Sequence, residues 1–103
     1  MDDKLLLQMI QDVTDSLYRS ELIPNQMIIS DQTVLLGIGS SIDSIAFITL
    51  FSEMEDRLSS FLGKEVFIDF NRLHDFNPEK SNLSVAIMIA FIKDTFFGRA
   101  DIG

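Results

Sequence analysis

The chain has 103 residues, 47% of them hydrophobic and nine of them Phe, which is enough for one core; five Gly and two Pro are too few for a linker-rich or disordered chain. Sixteen acidic residues against eight basic ones give a formal charge of −8, which repels phosphate backbones and anionic lipid and argues against nucleic-acid or membrane-surface binding. With no cysteine, disulfides, thiolate catalysis and cysteine metal ligation are excluded.

The opening "MDDKLLLQMI" has acids where a secretory signal has a basic stretch. Residues 3–19 read as an amphipathic helix. Leu6, Met9, Ile10, Val13 and Leu17 recur at helical spacing, with Gln8, Gln11, Asp12 and Asp15 on the other side. Residues 20–43 break the pattern with Pro24, Asn25, Gly37 and Gly39, yet contain Ile28, Ile29, Val34, Leu35 and Leu36. So long a connection in so small a domain is expected to be a loop packed across the bundle, and this reading is preferred there to a short strand pair.

A second helix is expected over 44–62, with Asp43 as N-cap and Gly63 as terminator. Placing residues at about 100° intervals sets Phe47, Leu50, Phe51, Met54, Leu58 and Phe61 on a core stripe. Thr49, Ser52, Glu53, Asp56 and Ser60 face away. Ile45 falls among them, Ile48 near the border and Ala46 on the outside, so the helix is expected to expose a small apolar patch beside Ser44. "DFNRLHDF" at 69–76 gives a short helix over 70–76, closed by Asn77-Pro78. A last helix is expected over 82–97, starting near Ser81-Asn82, with Leu83, Val85, Ala86, Ile87, Ile89, Ala90 and Ile92 apolar and the tail fraying past Phe97. The longest apolar run, 86–92, is far short of the ~20 residues that span a bilayer. The expectation is one all-α domain over 1–103, soluble and cytoplasmic.

Ser44 is the residue with chemistry to explain. The single His, His74, lies in another segment, and 42–46 read "IDSIA", without the G-x-S-x-G elbow of a hydrolase. No metal cluster is evident, since His74 beside Asp69 and Asp75 reads as a surface residue, and the chain is not expected to be an enzyme. As an attachment point Ser44 is well placed. First-turn amides lack partners inside the helix, and the helix dipole favours a phosphodiester there.

"LLGIGSSIDSI" followed by "AFITLFSEMEDRL" resembles the acyl carrier protein signature, a Gly-containing loop leading to Asp-Ser-Leu (or Ile or Met) and then a helix with a late Glu. The likeness extends in outline over residues 3–95, including the long first loop, the short third helix and the acidic balance. It implies an acyl-carrier-like four-helix bundle of three main helices and one short one. It places 4′-phosphopantetheine on Ser44, between Asp43 and Ile45, attached from coenzyme A by a phosphopantetheinyl transferase. The working thiol would then come with the group, and the protein would be a monomeric carrier of acyl thioesters for fatty-acid or lipid biosynthesis. The family also implies partner contact through Ile45, Ile48, Glu53, Glu55 and Asp56, by enzymes with basic docking surfaces. It further implies an acyl pocket among Phe47, Phe51, Met54, Leu73, Phe76, Ile87 and Ile89.

One departure stands out. Housekeeping fatty-acid carriers have acids along the outer face of the early second helix, where this chain has Ala46 and Thr49 and its acids begin at Glu53. That points to a specialised carrier in a dedicated lipid, lipopolysaccharide or polyketide pathway. The alternatives are an aminoacyl or peptidyl carrier, and an unmodified helical adaptor that binds a basic partner through Glu53, Glu55 and Asp56.

Overall fold

A computed structural model of the chain describes residues 2–37, 40, 42–78 and 82–97. These form helices α1 (Asp3–Arg19), α2 (Ser44–Leu62), α3 (Phe70–Phe76) and α4 (Val85–Ile92), the last continued by a π-helical turn, Lys93–Phe97. Two short strands, β1 (Val34–Leu36) and β2 (Leu83–Ser84), pair antiparallel. The protein is mostly helical, with one small two-stranded ladder.

The ladder corrects the purely helical expectation. Val34 pairs with Ser84 and Leu36 with Leu83, and the register shift between them gives β1 one extra residue. That residue, Leu35, is buried in the core. The same segment closes the start of α4. The amides of Val85 and Ala86 donate to the carbonyls of Thr33 and Asp31, both at 2.9 Å, and Ser84 Oγ accepts from the Ile87 amide at 3.3 Å. The last helix therefore begins at Val85, later than expected. Ser81, Gly39 and Ser41 fall outside the described residues, as does the expected fraying beyond Phe97.

α1 has the expected bounds and packs on α2 and α4. Leu6, Ile10, Val13 and Leu17 are buried, with Thr14 among them and Met9 partly covered. It ends in a Schellman pair, Leu22 N–H to Leu17 O and Glu21 N–H to Tyr18 O, with Glu21 at φ 62° in the left-handed position that usually takes glycine.

The long connection is packed, as its aliphatic content suggested, though not by all the residues expected. Ile23, Ile29, Leu35 and Ile42 enter the core, whereas Ile28 and Leu36 are exposed. Its fastening is polar and comes from the side of α1 read as solvent-facing. Gln11 Nε2 donates to Met27 O at 2.8 Å and Asp15 Oδ1 at 3.0 Å, while Gln11 Oε1 accepts from the buried Ile29 amide at 2.8 Å. Gln11→Ala leaves a buried amide without its acceptor and should cost roughly 1–3 kcal/mol. Urea denaturation measures the loss, and faster hydrogen exchange at the Ile29 amide localises it; an unchanged exchange rate would deny the clamp.

α2 runs over the expected residues. Asp43 Oδ1 accepts from the Ala46 amide at 2.9 Å, and Gly63 closes the helix at φ 70°. Phe47, Leu50, Phe51, Met54 and Leu58 are buried. Two placements on this helix differ from expectation. Ala46 is 0% exposed, because its small side chain is covered by neighbouring chain that a wheel of an isolated helix does not contain. Phe61 is 56% exposed, because the last turn of α2 reaches past the core, and its ring meets Phe97 edge-on at 6.1 Å.

Candidate functional site

The approach to α2 is folded by Ser40. Its amide donates to Gly37 O at 3.1 Å, its Oγ lies 2.9 Å from Leu35 O, and that Oγ accepts from the Ile42 amide at 3.1 Å. Gly37, at φ 106°, takes a backbone conformation open to glycine and strained for other residues. Ser40 is thus engaged in holding the loop. Asp43 supplies the cap. Ser44, the first residue of α2, is exposed and its hydroxyl is not the group that caps the helix.

The separation of roles can be measured. Asp43→Ala removes the side-chain acceptor of the Ala46 amide in the first turn and should lower stability by about 1 kcal/mol (range roughly 0.5–2). For a domain of this size, the melting temperature then drops by roughly 4–8 °C per kcal/mol. A thermal melt with no shift would mean that another group caps α2.

Beside Ser44 the surface is apolar. Ile45 is 68% exposed and Ile48 56% exposed, and Thr49 Oγ1 folds back onto Ile45 O at 2.9 Å. On the helical wheel Ser44, Phe47, Ile48 and Phe51 share one side of α2. α3 lies against that side. Phe70 at its start meets Phe51 at 4.8 Å and Phe47 at 6.2 Å between ring centroids, while Phe47 and Phe51 stack edge-on at 4.8 Å.

A cleft of about 300 Å³ opens between α2, α3 and the ladder, one helical turn from Ser44. Phe47, Leu73, Leu83, Leu36 and Phe70 give it carbon walls, and Asn71, His74, Asn77 and Asn82 give it polar ones. Asn77 is buried and donates from Nδ2 to Asn82 O at 2.6 Å, which joins the end of α3 to the start of β2.

Of the residues expected to line an acyl pocket, the cleft gathers Phe47 and Leu73. Phe51 and Met54 are core residues, and Ile87 is packed partly buried against that core. Ile89 lines a different cleft, between α1 and α4. Phe76 points away from α2 and packs edge-on against Phe91 of α4 at 5.6 Å, because it sits about 120° around α3 from Phe70.

The acidic residues of α2 also divide. Glu55 Oε2 accepts from the Ile68 amide at 2.7 Å, and Ser59 Oγ from the Val66 amide at 2.9 Å. Together they hold the returning chain so that Val66 and Ile68 are buried and Phe67 stands 74% exposed. Glu55 is therefore occupied within the protein. Glu53 lies 3.9 Å from Arg57, and Asp56 is exposed beside them.

Sequence reading missed Leu36, Phe70, Leu83 and the polar cleft residues. The spacing of Asn71 and His74, three apart on one helix, was the only signal for any of them. Among the described residues no three His, Asp or Glu side chains converge as a metal site, and no helix is long and apolar enough to cross a membrane. No protein-family model, no curated protein and no solved structure matches the chain.

Proposed function

We propose that this protein is an acyl carrier whose 4′-phosphopantetheine is borne on Ser44. The observation that carries this reading is the division of labour at the start of α2. Asp43 caps the helix, which leaves an exposed serine hydroxyl beside a cleft and an apolar patch. The order of helices, the long packed connection and the short α3 support an acyl-carrier-like four-helix bundle, to which the small ladder is an addition.

The residues present fit the group. Ser44 Oγ can take a phosphodiester without loss of a bond that the fold uses. The helix terminus presents first-turn amides and positive dipole to a phosphate, and the carboxylate of Asp43 already accepts from the Ala46 amide. When bound, the group would supply the thiol that this cysteine-free chain lacks, to hold a cargo as a thioester. Ile45 and Ile48 would meet the transferase and the enzymes that load and use the cargo, with Glu53 and Asp56 at the edge of that surface.

Because the early outer face of α2 presents Ile45, Ile48 and Thr49 and no acid, docking there would rest more on apolar contact than on charge. This favours a specialised carrier over one that serves the general fatty-acid enzymes, and a cytoplasmic place is part of the same reading.

The test is an intact mass after incubation with coenzyme A and a broad-specificity phosphopantetheinyl transferase. One phosphopantetheine gained by the wild type supports the carrier. A folded protein that gains none with several transferases would point to an unmodified adaptor with Glu53 and Asp56 as its contacts.

A further inference from the structure

We infer that Phe70 sets the length of acyl chain this protein can shelter, by closing the cleft beside Ser44 against a longer one, an inference that rests on the carrier reading above. Phe47, Leu73, Leu83, Leu36 and Phe70 wall the cleft in carbon, while the core residues Phe51 and Met54 lie outside its walls. Three rings stand in between. Phe70 lies 4.8 Å from Phe51 and 6.2 Å from Phe47, and Phe47 lies 4.8 Å from Phe51. Carbon atoms in contact are about 3.5–4.0 Å apart, so a chain that passes between two rings needs them roughly 7–8 Å apart. All three separations fall short of that. A short chain can lie on Phe47, Leu73 and Leu83, whereas a longer one meets the rings and runs out into water. The volume, about 300 Å³, is at the lower limit of ligand sites and agrees with a short cargo.

The three rings are not alike. Phe47 and Phe51 are 6% and 3% exposed and belong to the core, whereas Phe70 is 46% exposed at the rim. Phe70 is therefore the member that can change size without emptying the core. Because Phe70 and Phe47 both line the cleft, a smaller side chain at 70 leaves room that joins it and uncovers the Phe51 ring. Each methylene newly covered by carbon there favours the sheltered state by up to roughly fourfold, and one left in water adds nothing.

The experiment loads wild type, Phe70→Leu and Phe70→Ala at Ser44 from hexanoyl- and dodecanoyl-coenzyme A, and reads the rate of thioester cleavage by hydroxylamine. Hydrogen exchange of the α3 amides reports whether that helix is kept. In wild type the two chain lengths should be cleaved at rates within about twofold of each other, and both more slowly than a free acyl thioester. In the variants the dodecanoyl form should be cleaved at least roughly fourfold more slowly than the hexanoyl form, the gain from one methylene. Loosening of α3 alone would quicken both cleavages, so the ratio of the two lengths is the readout. If Phe70→Ala loses α3, Phe70→Leu decides.

A wild type that already protects dodecanoyl several times better than hexanoyl overturns the inference. So does a hexanoyl form cleaved as fast as the free thioester, or an unchanged ratio in Phe70→Leu with α3 intact. Failure of wild type to gain either group at Ser44 overturns the carrier reading and this inference with it, and intact mass distinguishes that outcome from the others.

Discussion

Ser44→Ala should lose all capacity to accept phosphopantetheine from coenzyme A while keeping its fold and melting temperature. The first half follows from chemistry, because the attachment needs a hydroxyl oxygen at that position and alanine has none. The second half follows from the structure. The first turn of α2 is capped by Asp43, whose Oδ1 holds the Ala46 amide at 2.9 Å, and Ser44 itself is exposed. Substitutions at exposed positions that serve no cap, cavity or buried bond stay within about 0.5 kcal/mol.

The control is Ser40→Ala. Ser40 holds the loop, so its loss should lower stability and leave Ser44 modifiable. Intact mass and a thermal melt on the two variants read both properties. If Ser44→Ala still gained the group, another hydroxyl would be the acceptor and the assignment would fall. If Ser44→Ala unfolded, the serine would belong to the fold and the argument from an uncommitted hydroxyl would collapse.

Phe51→Ala should be the most destabilising substitution considered, at about 3–5 kcal/mol, which is the range for removal of a buried aromatic side chain. Against a total of roughly 5–15 kcal/mol that is a large share, and the melting temperature should drop by roughly 12 °C or more. The reason lies in how α3 is held. This helix has seven residues, too few to persist alone in water. It is fastened by Leu73 in the core, by Phe76 against Phe91 of α4, and by Phe70 against the Phe47 and Phe51 rings of α2.

Removal of the Phe51 ring takes away the closest partner of Phe70 and leaves a cavity under the α2 end of α3. Beyond the overall loss, amides of α3 should exchange faster than those of α1, which native-state hydrogen exchange resolves residue by residue. Phe51→Leu, which keeps much of the volume, should cost less than about 1.5 kcal/mol. A loss below about 1 kcal/mol in Phe51→Ala would mean that α3 does not depend on this contact, and the cleft walls would then need another support.

The helices were legible because their information is local. α1 and α2 have the bounds that spacing and capping indicate, since Asp43 and Gly63 act on the backbone within a few residues of themselves. The exposure of Ile45 was legible for the same reason, as it follows from the angle between one residue and the stripe of its own helix. The ladder was not. Strands of three and two residues are too short for alternation to register, and they form because the long connection is drawn across the molecule by Gln11 and meets the start of α4.

What the sequence by itself determined is the set of helices, the cap that leaves Ser44 uncommitted and the apolar neighbour at 45. All of these are properties of residues within one or two turns of each other. Only the tertiary structure decided which polar residues serve the fold and which face the cleft. Gln11 read as solvent-facing and Glu55 as a partner contact, yet each of them, like Ser59, accepts a hydrogen bond from a backbone amide outside its own helix. The cleft likewise joins Phe47 of α2, Asn71 and His74 of α3 and Leu83 of β2. No periodicity links such residues, because their proximity is set by how the helices pack and not by their spacing along the chain.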